Sequence, residues 1–388
     1  MASFGLSGSQ RTGKAPAAVP ITPTAEYLEH LHGLVLSRDQ QKSAGYVMEQ
    51  MTQQELEKKR RCGRCGLRYK SSHQIWAARS WRHNRAQHTG EQAKSMEADA
   101  VENVNPAGET NQAQPRDLPC KFHPGALDYR KFWSCCGTPA YRPGCKGEEE
   151  HEVQTYARGE LERRWHFEPT PLPCLISDPR CAVAIDCEMG TAYDGESELI
   201  RVTMVDYFSG AVLVDKLVCP DVKMAHYNTR YSGVTTGQME AAKRARACIF
   251  GTRNAKVELW RFVGPETIVV GHSAQNDLAA LRWIHSRVVD TYLIESALRM
   301  ELDKLREGKE AENSSVVDGV VPDTKEKERR PVKRRPEDGL SLKALTKRKL
   351  GRAIQVGKMG HDSLEDAVAA RDLIHFHVSK LMALTDSD

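Results

Sequence analysis

Hydrophobic positions are sparse and irregular in the first half of this chain and become dense and periodic after Arg180. Residues 1–23, rich in Ser, Thr, Pro, Gly and Ala, read as disordered. Leu28, Leu31, Leu34 and Val35 recur at helical spacing and predict a helix over residues 25–36, with a second, polar helix over residues 44–59. Residues 89–118 are polar without periodicity and read as a flexible insert. Residues 153–179, with Pro169, Pro171, Pro173 and Pro179, read as a linker. Beyond them Cys181–Met189 is an apolar strand, and Leu199–Phe208 with Ala211–Val218 forms a hairpin about Ser209-Gly210. Residues 238–250 and 257–262 read as helices. Thr267–Gly271 is a short buried strand feeding a helix over residues 276–284, and Arg287–Asp290 is a further strand followed by a helix. Helices over Leu342–Leu350 and Leu364–Leu384 complete the set, while residues 303–338, charged and Pro-containing, read as an insertion loop. Strands first and then alternating helices and strands predict an α/β fold, a mixed sheet flanked by helices over residues 180–384. Ahead of it stand a helical segment (24–59), a small module (60–152) and the linker.

That alternation gives the polar residues their meaning. Ala182, Ala184, Asp186 and Glu188 share one face of the first strand; Cys181, Val183, Ile185 and Cys187 share the other. Two carboxylates that close on an apolar strand repel, and desolvation adds to the cost. A divalent cation removes both penalties, and Mg²⁺ and Mn²⁺ prefer such oxygen ligands. A solvated strand end is the alternative, which so apolar a segment disfavours. Asp277 falls one residue into a helix that follows a buried strand, where α/β sheets gather their functional groups; an acid favoured by the helix dipole is the other reading. His361 and Asp366 straddle a helix start at which Ser363 can cap and Asp366 can either close a capping box or face a cation. A neutral imidazole at His361 suits a general base.

The order Asp-x-Glu, Asn-Asp, His-x4-Asp resembles the DEDDh exonucleases. Within them it is most similar to the Rex-type RNA exonucleases of eukaryotes, the RNA exonuclease 3-like fungal branch in particular. The likeness rests on residues 184–189 (AIDCEM), 229–235 (TRYSGVT), 270–273 (VGHS), 287–291 (RVVDT) and 360–367 (GHDSLEDA). It implies an RNase H-like fold in which Asp186, Glu188 and Asp366 hold one Mg²⁺ or Mn²⁺. Asp186 would bridge to a second, supported by Asp277, the two cations lying about 4 Å apart. His361 would accept the proton of the attacking water, and Met189, His272 and Asn276 would touch substrate, with core packing the alternative for Met189. The implied activity is 3′→5′ trimming of RNA with a free 3′ end, releasing nucleoside 5′-monophosphates. Two alternatives stand beside it: a DNA 3′ exonuclease, since one site can cleave both backbones, and a zinc-dependent adaptor with a vestigial nuclease fold.

Six of the eleven cysteines fall in residues 60–151. Cys62-x2-Cys65, Cys120-x2-His123, Cys135-Cys136 and Cys145-x5-His151 offer eight ligands, enough for two tetrahedral Zn²⁺ sites. The runs CKFHPG (120–125) and WSCC (133–136) are similar to the cysteine- and histidine-rich, CHORD-like zinc module. Such a module also offers a surface for a protein partner. A rival grouping joins Cys62 and Cys65 to His83 and His88, although the 17 residues between Cys65 and His83 exceed the usual finger spacing of about twelve. Cys174, Cys181, Cys187, Cys219 and Cys248 lie in apolar contexts and read as packing residues, and Trp76 and Trp81 either pack the small module or stack on unpaired bases.

Net charge is only +4, but it is concentrated: ten Lys or Arg and no acid between Lys58 and Arg85, and seven Lys or Arg between Lys325 and Arg335. Both blocks suit a polyanionic partner, and the second suggests the nucleus, with the cytoplasm as a further address. No apolar run approaches the roughly 20 residues that span a bilayer, so no membrane association is expected.

Overall fold

The computed structural model describes residues 18–68, 118–314, 339–356 and 360–385, apart from residues 129, 131, 141, 175 and 176. The expectations for residues 1–17, 89–117 and 315–338, for His83 and His88, and for Trp76 and Trp81 lie outside these residues. The chain divides into two units, Met1–Gln50 with His166–Asp388, and Met51–Trp165.

The first unit opens with α1 (Ala25–Gly33), capped by Thr24, and α2 (Arg38–Ser43), closed at its start by a Ser37–Gln40 capping box. The helix expected over residues 44–59 is not continuous. Gly45, at φ +84°, ends α2 in the left-handed region, and Tyr46 beyond it turns into the core. What remains of that helix is α3 (Gln53–Glu57), which belongs to the second unit. So the segment read as a separate helical piece contributes its first half to the body of the sheet.

The second unit contains α3, the antiparallel pair β1 (Cys120–Phe122) and β2 (Lys146–Glu148), and α4 (Glu160–Arg164). Among its described residues few side chains are buried, Leu56, Cys62, Cys120, Leu161 and Trp165 among them. So little apolar core among these residues calls for some other cross-link.

The chain then returns to the first unit through β3 (Glu168–Pro169). The stretch read as a linker is therefore partly built in: β3 pairs in parallel with β10 (Trp283–Ile284), Phe167 is buried, and Glu168 forms an ion pair with the buried Lys256. The sheet proper is formed by β4 (Ala182–Ala192), β5 (Ser197–Asp206), β6 (Val212–Cys219), β7 (Met224–His226), β8 (Ile249–Phe250), β9 (Ile268–Gly271) and β11 (Val288–Asp290). Its order is β11-β9-β4-β5-β6-β8, with β7 added to the end of β4. β4, β5 and β6 run antiparallel, while β9 and β11 join β4 in parallel, giving a mixed sheet.

Strand alternation sorts two cores onto its faces. Val183, Ile185, Cys187, Val202 and Met204 point to one face, which is covered by α7 (Thr252–Leu259) and α8 (Gln275–Ala280). Ala182, Ala184 and Val205 point to the other, which is covered by α1 and by α11 (Ser363–Thr385) through Ala367, Val368, Ile374 and Val378. The short helices α5 (Thr229–Ser232) and α6 (Thr236–Arg244) follow β7. Helix α9 (Thr291–Ser314) runs twelve residues into the segment read as a loop, and α10 (Leu342–Leu350) has the expected bounds. No helix among the described residues is long and apolar enough to cross a membrane.

Candidate active site

Asp186 and Glu188 project from the face of β4 that α11 covers, because directly paired residues of antiparallel strands share a face. Asp186 lies opposite Thr203 and Glu188 opposite Arg201, while Thr203 is itself opposite Asp215 on β6. The register of β4 against β5 shifts immediately after Glu188. Such an irregularity re-aims the strand beside a site. Arg201 binds both oxygens of Asp215 (2.9 and 3.0 Å) and reaches Asp362 Oδ1 at 3.0 Å, and Thr203 Oγ1 meets Ser363 Oγ at 2.7 Å. The strand pair carrying two acids thereby clamps the start of the helix that carries a third.

That helix begins differently from the sequence expectation. Asp362, not Ser363, takes the cap position: its Oδ1 accepts from Leu364 N (3.2 Å) and its carbonyl from Asp366 N (3.0 Å). Ser363 is free to face Thr203, and the Asp366 carboxylate is free of a capping box. Asp366 Oδ2 accepts from Gln355 Nε2 (2.9 Å) and lies 3.8 Å from His361 Nδ1. Asp366 Oδ1 is buried and has no hydrogen-bond partner among the described residues. His361 is fixed through its main chain, N donating to Tyr231 O at 2.5 Å. Gly360, at φ +83°, approaches Gly233 so closely that a side chain would collide with the Gly233 backbone. This contact sets the Thr229–Gly233 segment directly against the segment that carries His361.

Asp277 arrives from α8, buried, with Oδ1 accepting from Cys187 N at 3.0 Å. Its helix is launched by a turn that Asp290 organises. Asp290 Oδ1 accepts from Ser273 N and Tyr292 N (both 2.9 Å), and Oδ2 accepts from Ala274 N (3.0 Å) and Tyr46 Oη (2.6 Å). Ser273 is held at φ +58° within it. Asp290, Gln355 and Tyr46 are among the supporting residues that sequence reasoning missed. Asp290 stood in a recognised motif without a role, and nothing in the local pattern marks the other two.

The electrostatics follow from crowding. Burial, and then the charges of Asp277, Asp366 and Glu188, push the Asp186 carboxyl well above its usual range, against the pull of Arg201. Burial does the same to Asp277, opposed by the Cys187 N–H. Asp366 is raised to about 7, again chiefly by burial, with Gln355 opposing and Glu365 and Asp362 adding to it. Burial and the charge of Lys343 lower the His361 pKa, keeping its ring neutral at neutral pH. Such a set favours either protons or cations, and the buried, unpartnered Asp366 Oδ1 fits a cation ligand. Of the expected substrate contacts, Met189 is half-buried against the core, His272 is half-buried with Nδ1 at 2.7 Å from Thr291 Oγ1, and Asn276 is exposed at the start of α8.

In the second unit the eight Cys and His residues separate into two sets, Cys62–Cys65–Cys120–His151 and His123–Cys135–Cys136–Cys145. Within each set the donor atoms all lie within 4.8 Å of one another. Among the described residues no such tight set is formed by the carboxylates of the first unit. Cys65 Sγ lies 3.3 Å from His151 Nδ1, and Cys136 Sγ 3.4 Å from His123 Nδ1. His123 Nε2 meets Arg142 O at 3.2 Å, which leaves Nδ1 as the ligand atom, and its ring stacks on Trp133 at 4.5 Å. Gly125 is required here, since a side chain would meet Ser134 Oγ and Cys135 N. Burial opposes ionisation of Cys62, but the N–H groups of Cys65 and Arg64 bring its thiol down to about 6. The hydroxyl and N–H of Thr138 bring Cys136 to the same value. Burial and the neighbouring thiols raise Cys120 to about 12 and Cys145 to about 11, so each set resists full ionisation without a cation. All the cysteines of both sets are free of disulfides.

No protein-family model matches the chain. It is 28% identical over 265 residues to RNA exonuclease 3 of Candida glabrata, covering 66% of this chain and 54% of that protein. It is 25% identical over 360 residues to RNA exonuclease 3 of Candida albicans, covering 92% and 68%. The apoptosis-enhancing nuclease of Rattus norvegicus is 32% identical over 240 residues, covering 61% and 59%. The chain thus spans little more than half the length of the first of these relatives. Among solved structures, the Neurospora crassa Pan2 catalytic unit (protease and nuclease domain) aligns with a TM-score of 0.38 at 20% identity, over 58% of this chain and 34% of that one. The likeness to RNA exonucleases read from the motifs is found again in these sequence alignments, and the expected mixed sheet flanked by helices is present among the described residues.

Proposed function

We propose that this chain is a metal-dependent 3′→5′ exoribonuclease that trims RNA 3′ ends and releases nucleoside 5′-monophosphates. The observation that carries the reading is the electrostatic crowding of four acids from three separate elements, Asp186 and Glu188 on β4, Asp277 on α8 and Asp366 on α11, the last three all raising the Asp186 carboxyl, with His361 3.8 Å from Asp366. Relatives named RNA exonuclease support RNA as the substrate. Asp186, Glu188, Asp277 and Asp366 would hold two Mg²⁺ or Mn²⁺ ions, which when bound activate the attacking water and stabilise the leaving 3′-oxygen. His361, neutral before reaction, takes the proton of that water on its imidazole as the oxygen attacks phosphorus and the bond to the 3′-oxygen breaks. Arg201, through Asp362, and Gln355, through Asp366, keep the start of α11 in place while charge builds up. Met189, His272 and Asn276 remain the candidates for contact with the terminal nucleotide.

The two Cys/His sets would each hold one structural Zn²⁺, since four protein ligands complete a tetrahedron and leave no open position. The module they build is proposed as a surface for a protein partner. The basic run Lys325–Arg335 supports a nuclear address.

The test is digestion of a 5′-labelled RNA with a free 3′ end, with Mg²⁺, with Mn²⁺ and with chelator, beside the matched DNA. A ladder shortening from the 3′ end in the presence of metal is expected, and Asp186→Ala should lower its rate by at least about a thousandfold, the size of a lost two-metal site. Equal cleavage of the DNA would turn the assignment to a DNA exonuclease, and an intact RNA under every condition would leave the adaptor.

A further inference from the structure

We propose that Tyr46, outside the segment that carries the nuclease motifs, is a positioning residue for Asp277. The N-terminal strap of residues 18–50 thereby becomes a working part of the catalytic site. The proposal rests on the two-metal reading given above and concerns how one of its acids is kept in place.

The strap is fastened to the edge of the sheet. Leu36 N donates to Val288 O on β11 (2.9 Å), and Gln41, itself buried, donates to Ser286 O (2.6 Å) and to Leu36 O (3.2 Å). Leu36 and Tyr46 lie in the same core as Leu278, Leu281 and Val288. From there the Tyr46 hydroxyl reaches Asp290 Oδ2 at 2.6 Å, wholly within the interior. The same oxygen accepts from Ala274 N, and its partner oxygen from Ser273 N and Tyr292 N. Three N–H groups and one hydroxyl thus saturate the carboxylate. Two of those N–H groups belong to the residues immediately before α8, one of them at positive φ. Asp277 is the third residue of that helix, and its other end is held by the hydrogen bond to Cys187 N on β4. Without the hydroxyl, the carboxylate loses its one side-chain donor among the described residues and can rock about its main-chain bonds. The turn it gathers loosens, and the direction in which Asp277 enters the site becomes less certain. Partners of this kind behind a metal ligand are worth roughly 10- to 100-fold in metal affinity.

Tyr27 supplies the control. It lies on the same strap, is equally buried, and its hydroxyl meets Tyr207 Oη and His375 Nδ1, both at 2.9 Å, with no link to α8. Mn²⁺ binding is measured by calorimetry on the full chain for the wild type, Tyr46→Phe, Tyr27→Phe and Asp290→Asn, alongside thermal melting and RNA cleavage against Mn²⁺ concentration. Tyr46→Phe is expected to weaken Mn²⁺ binding about tenfold. It should raise by the same factor the Mn²⁺ needed for half-maximal cleavage, and leave the KM for RNA unchanged. Asp290→Asn should lose at least as much, and Tyr27→Phe should melt earlier with unaltered Mn²⁺ affinity. Unchanged Mn²⁺ binding in Tyr46→Phe overturns the proposal, as does an equal loss in Tyr27→Phe, which would mark general loosening. The Mn²⁺ titration needs no substrate, so it decides the role of Tyr46 even for a chain that cuts no RNA. A wild type that takes up no Mn²⁺ overturns both this proposal and the nuclease reading.

Discussion

His285 is buried with two ring contacts. Nε2 donates to Thr267 O (2.7 Å), and Nδ1 accepts from Thr170 Oγ1 (2.7 Å), an oxygen already engaged by Trp283 Nε1 (2.8 Å). These partners suit the neutral ring, and burial lowers its pKa to about 4. The unfolded chain protonates near 6.5. Above that pH both states carry a neutral ring and the stabilisation is complete. As pH falls from 6.5 towards 4 only the unfolded state gains a proton, and on the order of 3 kcal/mol is lost. Urea unfolding at pH 7.5, 6 and 5 should therefore show a decline that His285→Gln reduces; parallel curves for the two proteins would refute it. The site acids work in the opposite sense. With Asp366 raised to about 7, its contribution to the stability of the metal-free protein is greatest below the ordinary carboxylate range and is lost as pH rises through 7. Mn²⁺ competes with those protons, so the rise in melting temperature on adding Mn²⁺ should be larger at pH 7.5 than at 5.5; an equal or smaller rise would mean the acids do not bind it. Asp186, Glu188, His361 and Asp366 were legible because their meaning lies in spacings of two to five residues. Tyr46 and Asp290 are 244 positions apart, and no local pattern carries that contact.

Elements were legible where periodicity was strong and less so where charge replaced it. Helix α10 has the bounds read from its leucines, whereas α9 extends to Ser314 through a stretch whose charge, with the prolines beyond it, was read as a loop signal. The Glu, Lys, Arg and Ala residues of that stretch are good helix formers, and no proline interrupts them before Pro322. Composition was weighed there against propensity, and propensity decided. The start of α11 shows the reverse case, in which tertiary contacts choose among competent caps. Ser363 and Asp362 can both cap, but Thr203 takes the serine hydroxyl, which leaves the aspartate. Arg201 holds this junction, bridging Asp215 and Asp362 from a side chain 13% exposed. Arg201→Met would leave two acids unpaired beside Asp186. It should cost about 2–3 kcal/mol in thermal or urea unfolding. The loss should shrink when Mn²⁺ supplies positive charge nearby; a loss that Mn²⁺ leaves unchanged would place the arginine's effect in packing alone.

At the scale of the molecule, the eight zinc-type ligands were legible as residues but not as pairs, because eight ligands allow many groupings and spacing does not choose among them. Folding nests one set inside the other. His123, Cys135, Cys136 and Cys145 lie between β1 and β2, while Cys62, Cys65, Cys120 and His151 reach around that hairpin from both sides. The inner set closes a short loop and the outer one a long loop, which costs more chain entropy to form. The outer set also needs the hairpin, since Cys120 is the first residue of β1 and His151 lies just beyond β2. Loss should therefore be asymmetric. By elemental analysis the wild type should hold two zinc ions per chain, and Cys62→Ser about one, with the inner set still filled. Cys135→Ser should fall below one, because opening the hairpin also separates the outer ligands. The carboxylate site belongs to the other unit, so both variants should cut short RNA at rates within about twofold of the wild type. Equal zinc loss in the two variants would refute the nesting argument. Loss of cleavage in step with zinc would mean that the second unit takes part in the chemistry, and the separation of structural from catalytic metals would have to be abandoned.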